Sequence, residues 1–192
     1  MPTTFPWRRW LWGAGAIALC VAFARYCVQI VPADAPLPDD KVAAAKTTPG
    51  GLLIPVEGVP ASALTDTFTQ ARAAGSRAHD AIDIVAARGR AVLAVADGRI
   101  DKIHWSKEGG RTLYQRASDG RTLYYYAHLD RYAPGLREGQ MVRRGQRIAT
   151  VGSTGNADPA APHLHFAIHR AMPATPWHGG KPINPYPLLT AP

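Results

Sequence analysis

Between residues 81 and 170 the chain is written in short runs, alternating or wholly apolar, that are cut by glycine-bearing turns. Ala81-Ile82-Asp83-Ile84-Val85 alternates. Ala91-Val92-Leu93-Ala94-Val95-Ala96 is apolar and stops at Asp97-Gly98, a hairpin-type turn. Alternation resumes over residues 99–105, and residues 112–116 and 122–126 flank the turn Ser118-Asp119-Gly120. Residues 163–168 form a further run. A period of two sends every second side chain to one face, so such segments must pair edge to edge before they can bury anything. The spacing therefore predicts a mainly β chain built on an antiparallel sheet with few short helices. The near-copies Arg111-Thr112-Leu113-Tyr114 and Arg121-Thr122-Leu123-Tyr124 fit two paired strands. One helix is predicted near residues 62–74, capped by Ser62 or Thr65.

The flanks read differently. Trp7-Arg8-Arg9-Trp10 precedes an apolar stretch over residues 11–31 in which Arg25 is the one charge. Positive residues before an apolar core mark an export segment, and Arg8 and Arg9 would hold that end in the cytoplasm. Two fates are open: cleavage after Ala22-Phe23-Ala24, or retention as a single hydrophobic helix, since ~20 residues suffice to span a bilayer. Residues 32–51 carry four prolines, several alanines and mixed charge, and read as an extended tether. Residues 52–192 are then left as the folded domain. Both cysteines, Cys20 and Cys27, fall in the N-terminal segment. A disulfide framework and a four-cysteine zinc site are thereby excluded from the domain. The net charge of +8 comes from scattered Arg and Lys with no dense run. It suits an anionic surface or polymer and argues against nucleic acid as the partner.

Three histidine clusters carry the chemistry: His79-Asp80-Ala81-Ile82-Asp83, Tyr126-Ala127-His128-Leu129 at the end of a strand, and Pro162-His163-Leu164-His165-Phe166. In a strand, His163 and His165 project to one face while Leu164 and Phe166 face the other. Two imidazoles so placed can reach one metal ion, or one can bind while the other moves protons. A catalytic zinc takes three protein ligands of the imidazole and carboxylate type and keeps one position open. His79, Asp83 and one of the pair His163/His165 would supply such a set.

The chain resembles the lysostaphin/LytM-type zinc metallopeptidases, which cut peptide crosslinks of bacterial peptidoglycan. The matching text is IPVEG at 54–58, HDAIDI at 79–84, AVLAVADGRI at 91–100, TLYYYAHLD at 122–130, REGQMVRRGQRIATVGSTGN at 137–156, PHLHF at 162–166 and PINPY at 182–186. The resemblance implies zinc on His79, Asp83 and His165, with His128 and His163 as catalytic histidines beside the attacking water. It also implies an open groove above the sheet. On this reading one of the two is the general base and the other stabilises the oxyanion; His163 is taken as the base, and the sequence leaves that assignment open. Two departures stand out: Ala81 where many relatives have Gly, and Phe166-Ala167 where they often have Phe-Glu. A normal strand conformation at residue 81 would accommodate alanine.

The remaining candidates receive plainer roles. His169 shares a face with His163 and His165 but is expected to be exposed at the strand end. His104 and His178 are assigned no chemistry. Tyr124, Tyr125 and Tyr126 are expected mainly in the core, with one or two rings facing the groove. The function implied is a zinc endopeptidase of the cell envelope acting on peptidoglycan. It would be anchored in the inner membrane by its transmembrane helix with the domain in the periplasm, or free there if the segment is cleaved. The alternative is a non-catalytic wall-binding or hydrolase-activating module on the same fold. Such modules have lost metal ligands, whereas this chain keeps every one. A regulatory protein partner is left open.

Overall fold

The structure is a computed structural model that describes residues 52–72 and 77–191. The predicted N-terminal helix and the tether lie outside the described residues. Among the described residues no helix is long and apolar enough to cross a membrane.

Eleven strands and one short helix follow in order: β1 (Ala71–Arg72), β2 (Arg77–Ala78), β3 (Ile82–Val85), β4 (Ala91–Leu93), β5 (Gly98–Ser106), β6 (Gly110–Ala117), β7 (Thr122–Tyr132), β8 (Met141–Val142), β9 (Arg147–Val151), β10 (His163–Arg170), β11 (Lys181–Ile183) and α1 (Pro185–Thr190). Nine of the strands form one sheet, with β1 and β2 a separate pair. The main path runs β11-β10-β7-β6-β5-β8, and among the described residues every strand pairing is antiparallel. The fold is thus mainly β and antiparallel, as the alternation requires.

Local chemistry sets the connections. Between β6 and β7 the Asp119 carboxylate accepts from the N–H groups of Arg121 (2.7 Å) and Thr122 (3.0 Å), and Gly120 takes φ 68°. That is the side-chain-closed turn that Asp favours. The Asp97-Gly98 turn does not close a hairpin. β4 pairs with β9, and the Asp97 carboxylate accepts from the Arg144 N–H at 2.7 Å, so this turn carries the chain from one part of the sheet to another.

The two long strands change partners along their length. β10 has β7 on one side; on the other it has β3 along residues 163–166 and β11 along residues 168–170. One face of this central region is packed. Ile82, Ile84, Leu113, Tyr126, Leu164, Phe166 and Ile168 are all 2% exposed or less. Each such large apolar side chain contributes about 1.5–3 kcal/mol of burial. Tyr126 is buried with its hydroxyl satisfied, donating to Gln115 Oε1 (2.7 Å) and accepting from the Val95 N–H (3.2 Å).

The helix expected near residues 62–74 does not form. A single 3-10 turn spans Ala61–Ala63, and a second turn, in which the Gln70 N–H donates to the Thr67 carbonyl (3.1 Å), leads into β1. Thr65, Thr67 and Thr69 are β-branched and gain little from a helix. Thr67 instead uses its polar groups across the fold. Its hydroxyl donates to the Ala81 carbonyl (3.4 Å) and accepts from the Asp83 N–H (3.1 Å).

Candidate metal centre

The register brings the first pair of residues together. In the β3–β10 ladder Asp83 stands directly opposite His165, so their side chains emerge on one face. His79 arrives from the segment between β2 and β3. Asp80 beside it has φ 57°, while Ala81 has no positive φ and is fully buried. The unusual backbone angle falls on Asp80, a residue type that tolerates it. Alanine at 81 therefore carries no strain, as expected from the sequence.

Three atoms converge. His79 Nε2 lies 3.0 Å from His165 Nδ1 and 3.1 Å from Asp83 Oδ1, and His165 Nδ1 lies 3.2 Å from the same oxygen. Four ligands at zinc distances stand about 3.3–3.6 Å apart in a tetrahedron, so this triangle needs only a few tenths of an ångström of expansion to hold the ion. The donor set of two imidazole nitrogens and one carboxylate oxygen fits zinc, and these three residues could hold it.

Two further observations bear on orientation. His79 Nδ1 is 3.0 Å from the Thr67 carbonyl, which can only accept, so Nδ1 carries the proton and Nε2 turns its lone pair to the cluster. Burial opposes the charge on Asp83, but hydrogen bonds from His165 and His79 and their charge outweigh it and hold the carboxyl well below its usual range. Burial pushes His165 down, against the pull of Asp83.

His128 reaches the same face by a device invisible in a period of two. Strict alternation would place it with Tyr124 and Tyr126, which are buried on the packed side. Instead His128 takes φ 58°, and the β6–β7 register slips between Arg111 and Leu113. This is a bulge, which re-aims a side chain. The strand does not end at His128, as expected from the sequence, but runs on to Tyr132. The His128 ring comes to 4.9 Å from that of His163 and 5.7 Å from that of His165. Its Nδ1–H donates to the Thr154 carbonyl (2.8 Å), and its backbone N–H donates to Gly109 (2.8 Å). Gly155, at φ 77°, lets these two loops touch: a Cβ there would come within 2.2 Å of the Glu108 carbonyl oxygen. Burial pushes His128 down to about 4, although the Thr154 bond pulls the other way.

His163 donates from Nδ1 to the Ala161 carbonyl (2.8 Å), and its Nε2 stands 3.8 Å from Asp83 Oδ1. All five residues singled out in the sequence therefore meet in one place. Two contributors were not anticipated, and a third, Tyr125, is the one ring of the tyrosine run that faces the site. Thr67 and Thr154 act through backbone carbonyls, which every residue type possesses, so no sequence signal marks them. Tyr125 is half-buried on the site face with its ring 5.8 Å from that of His165, while Tyr124 and Tyr126 are core. His169 is half-buried rather than exposed, and burial lowers its pKa.

A sequence model of peptidase family M23 matches residues 77–185, and the chain belongs to that family. The L-Ala--D-Glu endopeptidase of Bacillus subtilis is 34% identical over 122 residues, covering 61% of this chain and 36% of that protein. The murein hydrolase activator NlpD of Escherichia coli is 36% identical over 108 residues, covering 56% of this chain and 25% of that protein. The chain thus spans about a third or less of the length of these curated relatives. Among solved structures, the catalytic domain of lysostaphin from Staphylococcus simulans superposes with a TM-score of 0.56 at 27% identity. That match covers 67% of this chain and 92% of that domain.

Proposed function

We propose that this chain is a zinc-dependent endopeptidase that hydrolyses peptide crosslinks of bacterial peptidoglycan. The observation that carries the reading is the triangle of His79 Nε2, Asp83 Oδ1 and His165 Nδ1, with two more imidazoles alongside. Bound by those three atoms, zinc would supply Lewis acidity, polarising the scissile carbonyl and making a water nucleophilic near neutral pH.

The chain's own groups divide the proton work. Both His128 and His163 spend Nδ1–H on a carbonyl, so in the neutral ring each Nε2 is a proton acceptor. His163 Nε2 stands 3.8 Å from Asp83 Oδ1, at the edge of the three converging ligand atoms and within reach of a water there. His163 is thus the better general base, taking a proton from the attacking water and returning it to the leaving amine. His128 is disfavoured as a cation by burial. Donating to an oxyanion would require the protonated ring, so we assign His128 to accepting a hydrogen bond that orients water or substrate.

The test is metal content and peptidoglycan digestion by the purified chain, beside His165→Ala and His163→Ala. We expect about one zinc per chain in the wild type and in His163→Ala, little in His165→Ala, and digestion only by the wild type. Retained digestion by a zinc-loaded His163→Ala protein would sink the mechanism. The activator reading draws support from the resemblance to NlpD. A zinc-loaded chain that digests nothing, yet stimulates a separate peptidoglycan hydrolase, would establish it instead.

We further propose that residues 1–31 hold the chain in the inner membrane, with residues 32–51 as tether and the domain in the periplasm. Arg8 and Arg9 ahead of the apolar stretch support this. Protease added to spheroplasts should digest the domain, and full protection would refute the placement.

A further inference from the structure

A row of aromatic rings leads away from the metal centre across the same face of the sheet. Tyr125 stands directly opposite Tyr114 in the β6–β7 ladder, and Tyr114 directly opposite Lys102 in the β5–β6 ladder. The Tyr125 ring lies 5.8 Å from His165, Tyr114 lies 4.6 Å from Tyr125, and Trp177 lies 4.7 Å from Tyr114. His104 closes the row at 5.1 Å from Trp177. All four rings are half-buried, and Tyr114, Tyr125 and Trp177 stand outside the apolar core of the described residues. They stabilise the fold far less than Tyr126 or Phe166 on the packed face.

Trp177 is held there at some cost. It belongs to the connection between β10 and β11, and that connection is pinned by Arg116, a side chain projecting beside Tyr114. Arg116 Nε donates to Asp101 Oδ2 (2.6 Å), Nη2 to the Thr175 carbonyl (2.8 Å), and Nη1 to the carbonyls of Met172 (3.4 Å) and Gly120 (3.2 Å). Arg116 is 9% exposed, and the Asp101 side chain is 7% exposed. A buried ion pair is weak evidence of stability, because desolvation offsets most of its attraction. Here its guanidinium fixes the loop that carries Trp177.

We propose that Tyr125, Tyr114 and Trp177 form a sugar-binding subsite that seats the N-acetylated glycan strand of the substrate beside the metal centre. The proposal rests on the peptidoglycan reading and deepens it. Partly exposed rings with hydroxyl and imidazole edges match a sugar ring, which offers an apolar C–H face and a rim of hydroxyl and amide groups. The row is also continuous with the candidate centre through Tyr125 and His165. Arg116 is a positioning residue for the subsite, acting through the loop.

The test titrates the zinc-supplied full chain with chitotetraose, a peptide-free oligomer of N-acetylglucosamine, and measures turnover of intact peptidoglycan and of a sugar-free crosslinked peptide. Wild type should bind the oligomer saturably. Trp177→Ala and Tyr114→Ala should weaken binding by about tenfold or more, and Trp177→Tyr should keep most of it. Arg116→Met should weaken binding to the level of Trp177→Ala while zinc content stays unchanged. For intact peptidoglycan the Ala variants should raise KM about tenfold at similar kcat, with the sugar-free peptide cleaved as by wild type. No binding by the wild type would overturn the proposal. So would equal losses on both substrates, which would assign the row to the peptide. A wild type that cleaves nothing would defeat the endopeptidase reading alone, because the oligomer titration still decides the subsite.

Discussion

β10 and β7 lie side by side and contribute to the same site, but they do so by different rules. Along β10 the alternation is unbroken. Leu164, Phe166 and Ile168 are at most 1% exposed on the packed face, and His163, His165 and His169 line the other. Along β7 the alternation holds through Tyr126 and then breaks at the His128 bulge, after which Leu129 returns to the core. Two histidines thus reach the centre because the period is kept, and a third because it is violated. A regular strand positions a pair cheaply. A bulge lets a third residue join that pair from the neighbouring strand, at the cost of a left-handed backbone angle.

The comparison can be broken most sharply on β10. His165→Ala should abolish hydrolysis and reduce bound zinc to trace levels, measured by metal analysis of the folded protein. Normal zinc content would remove His165 from the centre. Across the same strand, Phe166→Ala should cost about 3–5 kcal/mol in denaturant unfolding, while the folded fraction binds zinc as before. A loss of zinc without a loss of stability would mean that the two faces are not independent.

On β7 the bulge itself is open to test. Asn tolerates the left-handed region and Val does not. His128→Asn should therefore keep the fold, whereas His128→Val should lose a further 1–2 kcal/mol or about that. Both should lower kcat, by roughly 10²-fold, the range for removal of one positioned polar group. Equal stability of the two variants would contradict the bulge.

A gentler test uses acid. The His128 pKa is lowered on folding, from about 6.5 to about 4. Its neutral form therefore stabilises the fold fully above pH 6.5, and that contribution is lost as pH falls through about 4. In metal-free protein the wild-type Tm should drop more steeply between pH 7 and 4 than that of His128→Asn. Parallel curves would remove His128 as the source. The smallest effect is expected at Thr150, whose buried hydroxyl has no hydrogen-bond partner in the described structure. Thr150→Val should be neutral or stabilising by up to ~1 kcal/mol in the same assay, because no bond is lost.

How far the sequence could be read follows from the same physics. Alternating runs revealed the strands, and the copied Arg-Thr-Leu-Tyr segments revealed the β6–β7 pair. His-x-His announced two side chains on one face. The predicted helix at residues 62–74 failed because Thr67 bonds to Ala81 and Asp83, partners distant in the chain. The Asp97-Gly98 turn was located, but its closing partner, Arg144, lies far along the chain. Local preference could not see either contact.

Residue type and spacing, by themselves, determined the antiparallel β class, the packed face of β10 and a ligand set of His79, Asp83 and one of His163/His165. These depend on side-chain chemistry and on a period of two, both of which are local. The roles of His128 and of each member of that pair came from the family resemblance. Only the tertiary structure decided that Asp83 stands opposite His165, that His128 turns outward, and that Thr67 and Thr154 fix the imidazole tautomers. It also decided that Arg116 holds Trp177 in line with Tyr114. Each of these rests on register or on a backbone carbonyl, and neither is encoded by the identity of the residue that supplies it.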